Sequence, residues 1–76
     1  MNEKEINALE TRYKATALLL INLSLMNEGT EIDRLMEYGH MAFDGGQFGV
    51  CGKALDLVCI AVLELLEEPE VPFSLN

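Results

Sequence analysis

The sequence predicts an all-α fold, a small three-helix domain built from two long helices and one shorter one. Three observations carry that prediction. Apolar residues recur every three or four positions over long stretches. Residues that start helices precede those stretches, and glycines follow them. No stretch shows the pattern of a strand, and none is of low complexity.

The first helix is expected from about residue 3 to about residue 27. Asn2 followed by Glu5 forms a capping box, in which each side chain satisfies the other's backbone N–H. Ile6, Leu9, Tyr13, Ala17 and Leu20 then repeat at helical spacing. Asn27-Glu28-Gly29 supplies the stop, with Gly29 suited to the left-handed position after a helix. Thr30 caps the second helix, and Glu31 and Asp33 suit its positive first turn. Ile32, Leu35, Met36, Gly39 and Phe43 form its apolar stripe, with Arg34, Glu37 and His40 away from it. Asp44-Gly45-Gly46 ends it.

The third helix is expected from Gln47 or Phe48 to about Glu67. Phe48, Cys51, Leu55, Val58, Val62 and Leu66 repeat in a three–four pattern. Ala54, Leu57, Ile60, Ala61, Leu63 and Leu65 fill most of the remaining surface, leaving a narrow polar strip of Lys53, Asp56, Glu64 and Glu67. A helix this apolar is expected to be buried on several sides. Residues 30–67 thus read as a helix-turn-helix hairpin within one helical domain, residues 1–68. Pro69 and Pro72 end regular structure, so residues 69–76 are expected to form a short, extended, flexible acidic tail.

The turn of that hairpin, GGQFGVCGKA at residues 45–54, resembles a phosphate-binding loop at first sight. The spacing G-x-x-x-x-G-K-[ST] is not met. Five residues before Gly52 stands Gln47, and Ala54 follows Lys53, so no hydroxyl is placed for magnesium. No strand precedes the segment, and the dinucleotide fingerprint fails at Phe48. The glycines fit a helix–helix turn instead. Gly45 and Gly46 give the connection backbone freedom. Gly49 and Gly52, three apart at the start of the third helix, would let another backbone come close, as would Gly39 on the second helix.

The segment YGHMAFDGGQFGVCGKALDL, residues 38–57, resembles one tetratricopeptide repeat hairpin. The match rests on Tyr38-Gly39, on Gly46-Gln47-Phe48 at the turn, on the small Cys51 and on the large Leu55. It covers about a third of the chain, departs from the pattern at Gly52, and has no second copy. The resemblance implies the geometry of an antiparallel helical hairpin.

Charge is unevenly placed. Residues 1–27 balance Lys4, Arg12 and Lys14 against Glu3, Glu5 and Glu10, while residues 28–76 set Arg34 and Lys53 against ten acids and so hold the entire net charge of −8. Phosphate backbones and anionic membranes attract the opposite sign, so direct nucleic-acid or membrane binding is not expected. The greasy run Ala15–Met26 is too short to span a bilayer and lacks the flanks of a signal peptide. Cys51 and Cys59, eight apart on one helix, stand about 12 Å from each other by helical rise. A disulfide needs Cα atoms within about 7 Å, so they are expected as buried, unpaired thiols in a reducing cytoplasm. No cofactor is expected.

Glu37 and His40 form an E-x-x-H, the spacing of metal sites in helical bundles, with Asp33 and Asp44 on the same side. Bundle ligands point inward, whereas these lie off the apolar stripe. Cys51 falls on the packed face and His40 on the wet one, so no nucleophile–base pair is expected.

The first helix carries a surplus. Leu18, Ile21 and Leu25 continue the strip that Asn7, Glu10 and Lys14 begin, on a different side from the packing face. Small monomers rarely leave large apolar patches wet. Leu18, Ile21 and Leu25 are therefore expected in the seam of a homodimer. Glu64, Glu67, Glu68 and Glu70 offer an acidic surface to a protein partner with a basic face. The function this supports is a non-enzymatic protein–protein interaction module: a small accessory regulator, inhibitor or chaperone-like adaptor. The two alternatives are a nucleic-acid-mimicking inhibitor of a DNA-binding or defence enzyme, and a metal-binding helical bundle using Glu37 and His40.

Overall fold

The computed structural model describes residues 1–67, so the tail 69–76 and the acids Glu68 and Glu70 lie outside the described residues. The fold is all-α: α1 (Glu3–Asn22), α2 (Glu31–Asp44) and α3 (Phe48–Glu67). Asn2 closes the predicted capping box, with Glu5 N–H donating to its side chain at 2.8 Å and Asn2 N–H donating to Glu5 at 3.1 Å. Thr30 caps α2 by accepting from Asp33 N–H at 3.2 Å.

α2 and α3 form the expected antiparallel hairpin. Its turn follows from Gly46, whose φ of +80° is left-handed and open to glycine without strain. Gly46 N–H then donates to Phe43 O and Gln47 N–H to Ala42 O, so the last carbonyls of α2 are satisfied before α3 begins. Phe43 and Phe48 meet edge-on across the turn with centroids 5.1 Å apart.

α1 lies beside the hairpin, running parallel to α3. Leu9 lies over Gly52, and Arg12 donates to Asp56 at 2.7 Å. Farther along, Thr16 and Leu20 come beside Val58 and Val62. The Tyr13 hydroxyl ties α1 to α2 by donating to Met36 O at 2.9 Å. One core results, made of Leu9 and Leu20 from α1, Ile32 and Met36 from α2, and Cys51, Leu55, Val58 and Val62 from α3. The predicted packing faces of all three helices supply it.

Several expectations need correction. α1 stops at Asn22, not near residue 27, because Ser24 takes a left-handed φ of +59°. Leu25 N–H reaches back to Leu20 O and Ser24 N–H to Ile21 O, the hydrogen-bond pair of a Schellman end. Leu25 therefore leaves the helical strip and turns half-buried against the core. Gly49 is not a point of close approach, since a Cβ there would meet nothing within 4 Å; at Gly52 only the tip of Leu9 comes near, at 4.0 Å. Gly52 faces α1 and Gly49 borders open space, and the tight approach is at Gly39, where a Cβ would sit 3.3 Å from that of Ala54. α3 is not buried on several sides, because both neighbours pack on the same half of it. Leu66 accordingly ends the packed row in the open, 65% exposed, and Cys59 is exposed where a buried thiol was expected.

Candidate interaction surfaces

Packing both helices on one half of α3 leaves most of the chain's apolar surplus outside. On α1, Leu18 and Ile21 are 62% and 58% exposed, as their place off the packing face predicts. Leu25 does not join them. Leu19, on the flank of α1 nearer α3, is also exposed and lines an open groove with Cys59, Leu63 and Leu66 of α3. The floor of this groove is the core residues Leu20, Val58 and Val62, so its wall is almost wholly apolar. A second groove runs between α2 and α3, lined by Leu35, Tyr38, Val50 and Leu57, with Gly49 leaving its end open and Lys53 as its cation. Between the grooves, on the outer side of α3, Leu57, Ile60 and Leu63 are 50%, 52% and 53% exposed.

Leu19, Leu57, Ile60 and Leu63 were not singled out from the sequence. The signal was present in the nearly unbroken apolar surface of α3. Fully burying one such leucine or isoleucine stabilises by about 1.5–3 kcal/mol, so their joint exposure forgoes several kcal/mol in the single chain.

The acids expected at functional surfaces fall in two places. Glu64 and Glu67 are exposed on the last turns of α3. Glu37 and Asp44 are exposed on α2, with Asp33 partly covered near its start. Asp33 accepts from Gly29 N–H at 3.1 Å and so helps fix the loop before α2. His40 Nε2 stands 3.3 Å from Asp44 Oδ2. Glu37 and His40 thus lie on an outer face, and among the described residues no group of three or more His, Cys, Asp or Glu side chains gathers as metal ligands would.

The fold shifts three titratable groups, Cys51, Tyr13 and Arg12. Burial pushes the Cys51 thiol up, the direction opposite to that of an activated thiolate. His40 is exposed while Cys51 is fully covered, so the two do not meet. Burial raises the Tyr13 phenol, and the nearby charges of Cys51, Asp44 and Glu37 raise it further. Its hydroxyl is already committed to Met36 O. The Arg12 guanidinium is raised by its hydrogen bond to Asp56. No described helix is long and apolar enough to cross a membrane.

In comparisons with known proteins, no family model, no curated protein and no solved structure matches the chain.

Proposed function

We propose that the protein is a non-enzymatic protein–protein interaction module, a small acidic accessory protein of the regulator, inhibitor or adaptor class that acts as a homodimer. The observation that carries this reading is the exposed apolar surface of Leu18, Leu19 and Ile21 on α1 and of Leu57, Ile60, Leu63 and Leu66 on α3. Exposed apolar area of this kind is a mark of association surfaces in small proteins. The acids left exposed on α2 and at the end of α3, within a chain of net charge −8, fit a target with a basic surface. Two unpaired cysteines suit a reducing, cytoplasmic compartment.

Sedimentation equilibrium of the full chain between about 1 and 200 µM tests the homodimer. The expected result is a monomer–dimer equilibrium with a dissociation constant in the micromolar range, since the apolar rows are short beside interfaces of about 800 Å² per partner. A monomer throughout that range overturns the homodimer.

A further inference from the structure

The outer side of α3 reads the same in both directions. At about 100° per residue, Lys53, Leu57, Ile60, Leu63 and Glu67 share the side opposite the packed row of Cys51, Leu55, Val58 and Val62. Ile60 stands at the middle. Leu57 and Leu63 lie three residues to either side of it. Lys53 and Glu67 lie seven residues to either side, two helical turns away, and carry opposite charges. Both are exposed, and neither has an ion-pair partner among the described residues.

We propose that this face is the seam of the homodimer, with α3 of a second copy lying antiparallel across a two-fold axis at Ile60. A two-fold contact must be self-complementary, each residue meeting the one its own mate meets in return. This arrangement satisfies that condition at Ile60, at Leu57 with Leu63 and at Lys53 with Glu67. Ile60 faces Ile60 of the partner subunit. Leu57 interleaves beside Leu63 of the partner subunit, on alternate sides of the seam. Lys53 stands opposite Glu67 of the partner subunit, so two ion pairs close the contact about 10 Å either side of the axis. Asp56 and Glu64 lie about 40° to either side of Ile60, nearer the centre line than Leu57 and Leu63 at about 60°, so the seam also brings each acid beside a leucine of the partner subunit; Asp56 is already paired with Arg12 at 2.7 Å. A parallel pairing would instead set Lys53 against Lys53 and Glu67 against Glu67.

The inference rests on the homodimer reading and adds its surface and its register. The test is a charge swap, read by sedimentation equilibrium on the full chain, with circular dichroism confirming helicity. Lys53→Glu and Glu67→Lys each replace two attractions by two repulsions, and each is expected to raise the dimer dissociation constant roughly tenfold. Glu67→Lys is the sharper variant. It changes the net charge from −8 to −6, so general repulsion alone would strengthen the dimer. The double variant keeps the net charge at −8 and restores both pairs, and it is expected to return within about twofold of wild type. Ile60→Glu is expected to abolish the dimer, and Ile21→Glu to leave it. A wild-type dimer indifferent to Ile60→Glu and to both reversals overturns this seam while the homodimer stands. Loss of the dimer in Ile21→Glu with retention in Ile60→Glu moves the seam to α1. A double variant as weak as the single ones overturns the antiparallel register. A monomeric wild type removes the homodimer reading itself.

Discussion

Tyr13 does more in the fold than its place in an apolar stripe announces. The spacing of Ile6, Leu9 and Tyr13 was enough to put its ring on the packing face of α1. The partner of its hydroxyl, Met36 O at 2.9 Å, lies twenty-three residues away and depends on how α2 crosses α1. No local pattern encodes that contact. Its phenol is raised mainly by burial, and the Cys51 thiol is raised for the same reason. For both groups the folded chain holds the proton more tightly than the unfolded chain does. Their contribution is therefore fully present below the unfolded values, about 9 for the thiol and 10 for the phenol, and is lost as pH rises through the folded ones. Urea unfolding followed from about pH 8 to pH 11 is expected to show stability falling across the upper half of that range. Tyr13→Phe is expected to begin about 1 kcal/mol lower at pH 8, for the lost hydrogen bond, and to fall less steeply above pH 10. An equal slope in wild type and variant would show that Tyr13 does not titrate with unfolding.

The helices differ in how openly their ends and contacts were written. α2 and α3 were legible almost to the residue, because Thr30, Gly46 and the apolar stripes are strong local signals. α1 was not, because a serine stands where a glycine would mark the left-handed residue. Ser24 at φ +59° ends the helix although Leu23, Leu25 and Met26 continue its apolar run. Burying Leu25 against the core outweighs the strain, which is about 1 kcal/mol for such a residue. Glycine spacing was likewise too coarse to say which glycine lets α2 approach α3. The structure separates Gly39, facing Ala54 at 3.3 Å, from Gly49, facing nothing within 4 Å. Gly39→Val is expected to destabilise by about 1–3 kcal/mol, since a branched side chain must push two helices apart. Gly49→Ala, on an open helical surface, is expected to stabilise by about 0.5 kcal/mol through helix propensity alone. Thermal unfolding of the two variants checks both, and a destabilising Gly49→Ala would show that something does close on that side.

The whole chain sets an apolar surplus against a charge surplus. Its packing faces were predictable helix by helix, yet their sum was not, because spacing cannot say that α1 and α2 share one half of α3. That choice decides which apolar residues stay wet, and it turns Leu57, Ile60 and Leu63 outward together with Leu66. The charge has a simpler consequence. A net −8 on 76 residues, with only two Lys or Arg ion pairs among the described residues, leaves acids that repel one another more when the chain is compact than when it is unfolded. Raising ionic strength from about 0.01 M to about 0.15 M shortens the screening length from about 30 Å to about 8 Å, less than the length of α2. Repulsion between distant acids is then largely removed, while the two Lys and Arg ion pairs are exposed and contribute little that salt could take away. The melting temperature, measured near 2 µM protein to hold association low, is expected to rise by about 5 °C over that range, the shift that roughly 1 kcal/mol produces in a domain of this size. Sodium chloride should act at these concentrations through screening, so potassium chloride should give the same rise. A melting temperature that falls with salt would mean that local ion pairs such as Arg12–Asp56, and not the acidic excess, govern the electrostatics of the fold.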